Sequence, residues 1–123
     1  DMFDCVLPTR NGRNANAFTA KGQVRLRNAK FANDEAPIEP GCDCHACLPS
    51  KYGWMAQAPF SRAYIRHLFM VGEMLGPILV TLHNLRHFQR FMAEIRACIE
   101  TDDWVGLVNR WPIAALGLHK KVL

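Results

Sequence analysis

The chain has 123 residues, half of them hydrophobic, which is enough for one domain with one modest core and excludes a disordered tail. Its net charge of +4 is compatible with a polyanionic partner without identifying one. No apolar run is long enough to span a bilayer, and no basic-then-apolar leader follows the acidic first residues. We therefore expect a cytoplasmic protein with no membrane partner.

The chain opens on a largely apolar run. Residues 2–7 predict a short buried strand that Pro8 ends, and the polar residues 9–16 predict a loop. Natural termini are usually frayed and polar. A chain that opens inside a buried strand is therefore expected to be a piece of something longer.

A β-hairpin is predicted next. Segments 17–20 and 23–27 flank Lys21 and Gly22, and glycine suits a hairpin turn. The second segment alternates apolar and basic residues, as expected of a strand with one buried face.

Four arginines of this region form a predicted basic patch. Arg10 and Arg13 lie in the predicted loop, and Arg25 and Arg27 lie on the hairpin. Such a patch suits contacts with phosphates or base edges, whereas a basic loop is more commonly just solvated.

Helical signals begin in the second half of the chain. Residues 28–41 predict an irregular linker, and residues 48–60 predict a loop. Ser61 is a suitable N-cap for a helix that runs to about Leu75, where Gly76-Pro77 is expected to end it.

Two further helices are predicted. One runs from about Leu82 to Ile99, with apolar residues every three or four positions. Residues 101–103 cap a last short helix that Pro112 ends, while residues 113–123 carry no clear signal. The apolar side of this short helix is predicted to carry Trp104, Leu107, Val108 and Trp111.

The strongest chemical signal is a cluster of three cysteines. One residue separates Cys42 from Cys44 and two separate Cys44 from Cys47. A disulfide across a single residue is strained, and an odd total of five cysteines favours a metal site in a reducing compartment. Thiolates are preferred ligands of zinc, which takes four ligands in a structural site. The cluster therefore predicts three ligands of one Zn²⁺ ion.

The fourth ligand is expected to be a histidine. On spacing alone either His83 or His87 could reach the metal, and we favour His83 because it lies nearer the predicted helix start. His45, inside the cluster, is expected to point away, and His67 and His119 are expected to be ordinary surface or core side chains. Four protein ligands leave no position for water, so the predicted site is structural rather than catalytic.

Asp4 is a candidate catalytic residue. It lies towards the end of the predicted strand and before a polar loop, the position at which α/β barrel enzymes carry catalytic groups. A carboxylate there can serve as a nucleophile towards an anomeric carbon, although spacing alone favours a loop-capping aspartate. The adjacent Cys5 is expected to be buried and inert.

Five sequence blocks together resemble bacterial tRNA-guanine transglycosylase, the family of queuine tRNA-ribosyltransferases. They occur in the family's order, cover most of residues 1–100 and correspond to about the last third of the family's enzyme. The blocks are residues 1–13, residues 27–31, Cys42-x-Cys44-x2-Cys47, residues 61–64 and residues 83–85. The resemblance implies an α/β fold: the C-terminal portion of a (β/α)8 TIM barrel with an inserted zinc-binding subdomain.

The resemblance also implies roles for single residues. Asp4 matches the nucleophile that attacks the ribose of the wobble guanosine in tRNA, before a 7-deazaguanine base displaces it and the queuosine pathway proceeds. Arg10 and Arg13 match residues that contact the bases of the anticodon loop. Tyr64 and His67 match the region through which the family forms a homodimer. The implied ligands of one structural Zn²⁺ are Cys42, Cys44, Cys47 and His83, which favours His83 over His87 and His45.

The chain departs from the family pattern in three places. The spacer between Cys47 and Ser61 is longer, with residues 51–60 as an insertion, and residues 112–123 do not match the family's tail. The first two-thirds of the barrel, with the second catalytic aspartate, is missing. A barrel needs all its strands to close, so we expect the chain alone to be inactive. The alternative is a stand-alone zinc-stabilised module that binds RNA or a subunit without catalysis.

Three parts are expected along the chain. The last barrel strand, the anticodon-contacting loop and the hairpin occupy residues 1–40, the zinc subdomain residues 41–83, and the C-terminal helices residues 84–123.

Overall fold

The computed structural model describes residues 2–56 and 58–115. In these residues it contains four α-helices, one two-stranded antiparallel sheet and two short 3-10 turns. The helices are α1 (Leu7–Arg13), α2 (Arg62–Met70), α3 (Leu75–Thr101) and α4 (Trp104–Arg110), the strands are β1 (Asn16–Thr19) and β2 (Gly22–Arg25), and the 3-10 turns are Ala29–Phe31 and Pro49–Tyr52. The described residues are thus mixed helix and strand.

The start of the chain differs from the expected strand and loop. Residues 2–6 are exposed and form no strand, and the predicted loop is largely helix α1. Pro8 lies in the first turn of this helix instead of ending a strand. Proline is tolerated there because backbone N–H groups of the first turn have no partner within the helix. A strand also requires a ladder partner, and residues 2–6 have none among the described residues.

Helix α1 lies directly against α3. Gly12 makes this possible, because a Cβ atom at this position would lie 2.8 Å from Thr81 Cα. The missing side chain therefore sets the distance between the two helices.

The predicted hairpin is confirmed. Asn16 pairs with Arg25 and Thr19 pairs with Gly22 in antiparallel register. Gly22 has a φ of 143°, which L-residues rarely adopt. Strand β1 is almost fully buried, and its residue Phe18 contacts the long helix α3. Strand β2 alternates between half-buried and exposed residues.

The predicted N-cap of α2 is also confirmed, because the Ser61 hydroxyl accepts a hydrogen bond from the Tyr64 N–H at 3.0 Å. The helix ends at Met70, and Gly72 reverses the chain with a φ of 75°. The predicted stop at Gly76-Pro77 is wrong, since both residues lie in the first turn of α3. Proline is tolerated there, so this dipeptide accompanies a helix start.

Helix α3 is the longest element and has 27 residues. It contains the predicted helix but begins earlier, so His83 lies well inside it rather than at its start. The helix ends where Asp102 adopts a left-handed conformation with a φ of 53°. Asp103 then caps α4, accepting a hydrogen bond from Gly106 N–H at 2.9 Å.

Only part of the predicted apolar side of α4 is buried. Leu107 and Trp111 are buried, whereas Trp104 and Val108 are largely exposed. Residues 116–123, including His119, lie outside the described residues.

Two apolar clusters make up the core. The smaller one joins Cys98 of α3 to Leu107 and Trp111. The larger one surrounds the cysteine cluster, and its fully buried aliphatic side chains are Leu26, Ile38, Ile65, Leu79 and Val80. Among the described residues no helix is long and apolar enough to cross a membrane.

Candidate metal centre

The cysteine cluster forms a tight turn, which we call the knuckle (residues 42–47). Cys42 N–H donates to the Glu39 carbonyl at 3.1 Å, and Leu48 N–H donates to the Cys44 carbonyl at 2.8 Å. The Cys47 N–H donates to Cys44 Sγ at 3.3 Å. The local backbone thus turns all three sulfur atoms towards one point.

His83 completes the group from helix α3. Its Nδ1 atom lies 3.6 Å from Cys42 Sγ, 3.4 Å from Cys44 Sγ and 3.6 Å from Cys47 Sγ. Zn–S bonds of about 2.3 Å and Zn–N bonds of about 2.05 Å at a tetrahedral angle require an S···N separation of about 3.6 Å. All four donor atoms lie within 4.8 Å of one another and all four residues are buried. The four residues therefore form a tetrahedral site that fits structural Zn²⁺.

The second ring nitrogen of His83 fixes the orientation of the ligand. Its Nε2–H donates to the Phe18 carbonyl oxygen at 2.7 Å, which leaves Nδ1 as the free donor to a metal. The acceptor of this hydrogen bond is a buried backbone carbonyl of strand β1. It therefore ties the metal centre to the hairpin.

Asn84, the next residue of α3, makes a second connection to the hairpin. Its Oδ1 accepts the Phe18 N–H at 2.9 Å, and its Nδ2 donates to the carbonyls of Pro8 and Asn16 at 3.0 Å each. Sequence reasoning did not identify Asn84 as part of the site, although it directly follows the favoured histidine ligand. Two consecutive side chains of α3 thus hold α1, β1 and the metal centre together.

Close contacts among the donor groups shift the pKa values of Cys42, Cys47 and His83. Hydrogen bonds with Cys44 and Cys47, followed by the hydrogen bond with His83 and its charge, outweigh burial and hold the pKa of Cys42 far below its usual range. Hydrogen bonds with Cys42 and Cys44, followed by burial, raise the pKa of Cys47. Burial opposes protonation of His83, but hydrogen bonds to Cys42 and Cys44 outweigh it and raise its pKa to about 10. A metal ion that binds here displaces protons from these groups. Its affinity therefore decreases as the pH is lowered.

The two alternative histidines are held away from the donor group. His45 accepts a hydrogen bond at Nδ1 from Trp54 Nε1 at 3.0 Å and stacks on Tyr52 with ring centroids 3.7 Å apart. His87 packs against Phe18 and Trp111, with centroid distances of 5.9 and 5.2 Å. Its Nδ1 has no hydrogen-bond partner among the described residues, and burial, followed by the charge of His83, lowers its pKa to about 4. Neither histidine belongs to the donor group.

The remaining candidate residues lie elsewhere on the surface. Asp4 and Cys5 are exposed at the edge of an open, mainly apolar groove between residues 2–8 and α3. The expectation of a buried Cys5 is therefore wrong, because no strand covers it in the described residues. Tyr64 and His67 are exposed on α2, three residues apart.

The four arginines of the predicted basic patch are all exposed. Arg10 and Arg13 occupy the last turn of α1, and their spacing of three residues puts them on neighbouring positions of one helix face. Arg27 lies over the Phe69 ring, with 5.4 Å between its Cζ atom and the ring centroid.

Comparisons with known proteins place the sequence beside one family. The family model described as queuine tRNA-ribosyltransferase matches residues 1–114. A queuine tRNA-ribosyltransferase of Xanthomonas euvesicatoria pv. vesicatoria is 50% identical over 105 residues, which are 85% of this chain and 25% of the relative. The protein of that name from Azotobacter vinelandii is 50% identical over 109 residues, covering 89% of this chain and 27% of the relative.

A third relative of the same name, from Delftia acidovorans, is 45% identical over 114 residues, which are 90% of this chain and 29% of the relative. The chain thus spans about a quarter of the length of these relatives. Since the family match extends over nearly the whole of its 123 residues, the chain belongs to the queuine tRNA-ribosyltransferase family.

Proposed function

We propose that this chain is the C-terminal part of an enzyme that exchanges the wobble guanine of a tRNA for a 7-deazaguanine. The observation that carries the proposal is an identity of about half over 105 residues with proteins named queuine tRNA-ribosyltransferase. The Cys3His donor group supports the proposal, because all four of its residues lie within the matching region. Such an enzyme acts in the cytoplasm, where tRNA is modified.

Asp4 is the proposed nucleophile. Its carboxylate attacks the anomeric carbon of the ribose, guanine leaves, and an aspartyl-ribose intermediate forms. A deazaguanine base then displaces Asp4, so two displacements restore the original configuration. The exposure of Asp4 beside an open groove supports this role, because a tRNA nucleotide must reach the carboxylate.

Arg10 and Arg13 are the proposed contacts to bases of the anticodon loop. Both guanidinium groups are exposed on one face of α1, and this helix begins three residues after Asp4. An arginine can donate two hydrogen bonds to a base edge, which lets it read sequence next to the target. Zn²⁺, when bound, supplies structural cross-linking and takes no part in the reaction.

The rest of a (β/α)8 barrel is proposed to complete the enzyme. Residues 2–6 and the facing side of α3 border a groove of about 730 Å³ that exposes Phe3, Phe88 and Met92. Exposed apolar surface of this kind marks an interface. We propose that further barrel elements cover it, that they supply a second catalytic aspartate and the base pocket, and that the chain alone is inactive.

Two further assignments belong to this proposal. The chain is proposed to divide into residues 1–40, 41–83 and 84–123, with the second boundary inside α3. The exposed Tyr64 and His67 are proposed to contribute to a homodimer interface.

The test is reconstitution of guanine exchange. The 123-residue chain is combined with the N-terminal three-quarters of a relative, and incorporation of labelled guanine into tRNA is measured. We expect exchange only in the mixture, and a loss of at least about 10³-fold in Asp4→Asn, because a missing nucleophile removes the covalent step. Glu35→Gln, an exposed carboxylate outside the groove, is the matched control. Exchange that survives Asp4→Asn would contradict the proposed nucleophile.

A stand-alone RNA-binding module is the second candidate. The observation that favours it is that all four donors of the metal site lie within this chain, so its core needs no partner for metal binding. Submicromolar binding of an anticodon stem-loop by the zinc-loaded chain, with no exchange in the mixture, would favour this candidate over the enzyme.

A further inference from the structure

Four residues that follow the cysteine cluster hold every non-ligating residue of the knuckle in place. They are Lys51, Tyr52, Trp54 and Phe60, and we call them the clamp. The knuckle contains three residues that donate nothing to the metal, namely Asp43, His45 and Ala46. Each of the three has at least one direct contact with the clamp.

Asp43 is bound on both its backbone and its side chain. The Tyr52 hydroxyl donates to the Asp43 carbonyl at 2.7 Å, and Lys51 Nζ lies 2.7 Å from Asp43 Oδ2. Arg86 of α3 adds two contacts to the same carboxylate, at 2.7 and 3.0 Å. Asp43 therefore connects the clamp to the helix that carries the histidine ligand.

His45 is bound through its ring. It lies parallel to the Tyr52 ring at 3.7 Å, and its Nδ1 accepts the indole N–H of Trp54 at 3.0 Å. Nδ1 is thus occupied, and these two contacts hold the ring outside the group of four donors.

Ala46 is bound through its backbone. Phe60 N–H donates to the Ala46 carbonyl at 2.9 Å. The Phe60 ring packs edge-on against Trp54 at 5.2 Å and stacks with Tyr64 of α2 at 5.9 Å. The clamp is therefore anchored to α2 at one end and to the knuckle along its length.

We propose that the clamp is a metal-retention device that positions the knuckle for Zn²⁺, keeps His45 out of the coordination shell and slows release of the ion. Opening of the knuckle backbone moves the thiolates away from a bound metal, and the clamp makes that opening break several contacts at once. Pre-organisation of this kind raises affinity by lowering the ordering cost of the ligands. The proposal concerns the metal centre and does not depend on transferase activity.

The test is the rate at which the zinc-loaded chain transfers its metal to a chromogenic chelator in excess. Tyr52→Phe removes only the hydroxyl that binds Asp43, and Trp54→Phe removes the indole N–H that binds His45 together with part of the aromatic ring. Each variant keeps an aromatic ring, so the chain is expected to remain folded, which far-UV circular dichroism checks. Met55→Ala is the matched control, because Met55 lies in the same segment and is 95% exposed.

We expect each of the two variants to release zinc about twofold to tenfold faster than the wild type, the range that one net hydrogen bond corresponds to. Met55→Ala is expected to match the wild type. Release rates equal to that of Met55→Ala in both variants would overturn the proposal.

Discussion

At the scale of single residues, His83 serves both the metal centre and the packing of the fold. One ring nitrogen faces the three sulfur atoms, and the other donates to the Phe18 carbonyl at 2.7 Å. A buried histidine with both nitrogens engaged has no rotational freedom left. The metal centre is thus also the point at which the long helix meets the hairpin.

The loss of one thiol is expected to remove the metal. Cys44→Ser leaves three donors, and we expect less than about a tenth of the wild-type zinc content together with a loss of several kcal/mol in stability, because metal binding and folding are coupled. Zinc content by elemental analysis and urea unfolding are the measurements. Cys5→Ser is the matched control, since Cys5 is exposed and outside the site, and it should keep one zinc per chain. A Cys44→Ser protein with a full metal complement would contradict the assignment.

The buried imidazole of His87 predicts a pH dependence of stability. Its pKa is about 4 in the folded chain and 6.5 in its ordinary state, so the unfolded chain binds the proton first as pH falls. The contribution of neutral His87 to the free energy of unfolding is complete above pH 6.5 and is lost progressively between pH 6.5 and about 4. The measurement is the difference in free energy of unfolding between wild type and His87→Phe, which cannot titrate. We expect this difference to shift in favour of His87→Phe on acidification, and a constant difference would refute the prediction.

At the scale of elements, the close contact between α1 and α3 depends on one glycine. Helix α1 has only seven residues and no side-chain N-cap. Such a short helix is held by packing and not by its own hydrogen bonds. Its position therefore relies on the contact of Gly12 with Thr81 and on the Asn84 bond to the Pro8 carbonyl.

Gly12→Ala is expected to destabilise the chain by about 1–3 kcal/mol, the cost of overpacking a tight contact. In an open helical position the same change would stabilise by about 0.5–1 kcal/mol, so the sign of the effect is diagnostic. Chemical unfolding of the zinc-loaded protein measures it. Asn11→Ala, in the same helix, is the control. A stabilised Gly12→Ala protein would mean that α1 and α3 are not in close contact.

At the scale of the whole molecule, the described residues form two apolar clusters along one long helix. The larger surrounds the knuckle, and the smaller joins α3 to α4. The exposed arginines of α1 and β2 lie on elements that the metal centre ties to α3. Metal binding should therefore order the proposed RNA-contacting surface.

The proposed base contacts predict a change in selectivity. In the reconstituted enzyme, Arg10→Ala and Arg13→Ala should each reduce discrimination against an anticodon loop with altered bases beside the target, by about 1–3 kcal/mol. Affinities for the matched and altered stem-loops are compared by titration. Arg110→Ala is the control, because its guanidinium is already paired with Glu94 at 3.1 Å. Equal weakening on both loops would indicate phosphate contacts instead.

Several parts of this structure could be predicted from local sequence. The spacing of the three cysteines, the hairpin around Gly22 and the cap at Ser61 each have a short-range physical cause. Pro8 and Gly76-Pro77 misled the prediction, because proline opens a helix as well as ending one. The clamp and Asn84 carry no local signal, since their partners are fixed only once the chain has folded.

The separation of the ligands along the chain has a consequence for synthesis. Cys47 precedes His83 by 36 residues. At a translation rate of about 5–20 residues per second, three free thiols wait for about 2–7 s before the fourth donor leaves the ribosome. During that interval the three thiols of the nascent chain are open to oxidation and to capture of a competing soft metal. A reducing environment therefore protects the thiols before folding can bury them.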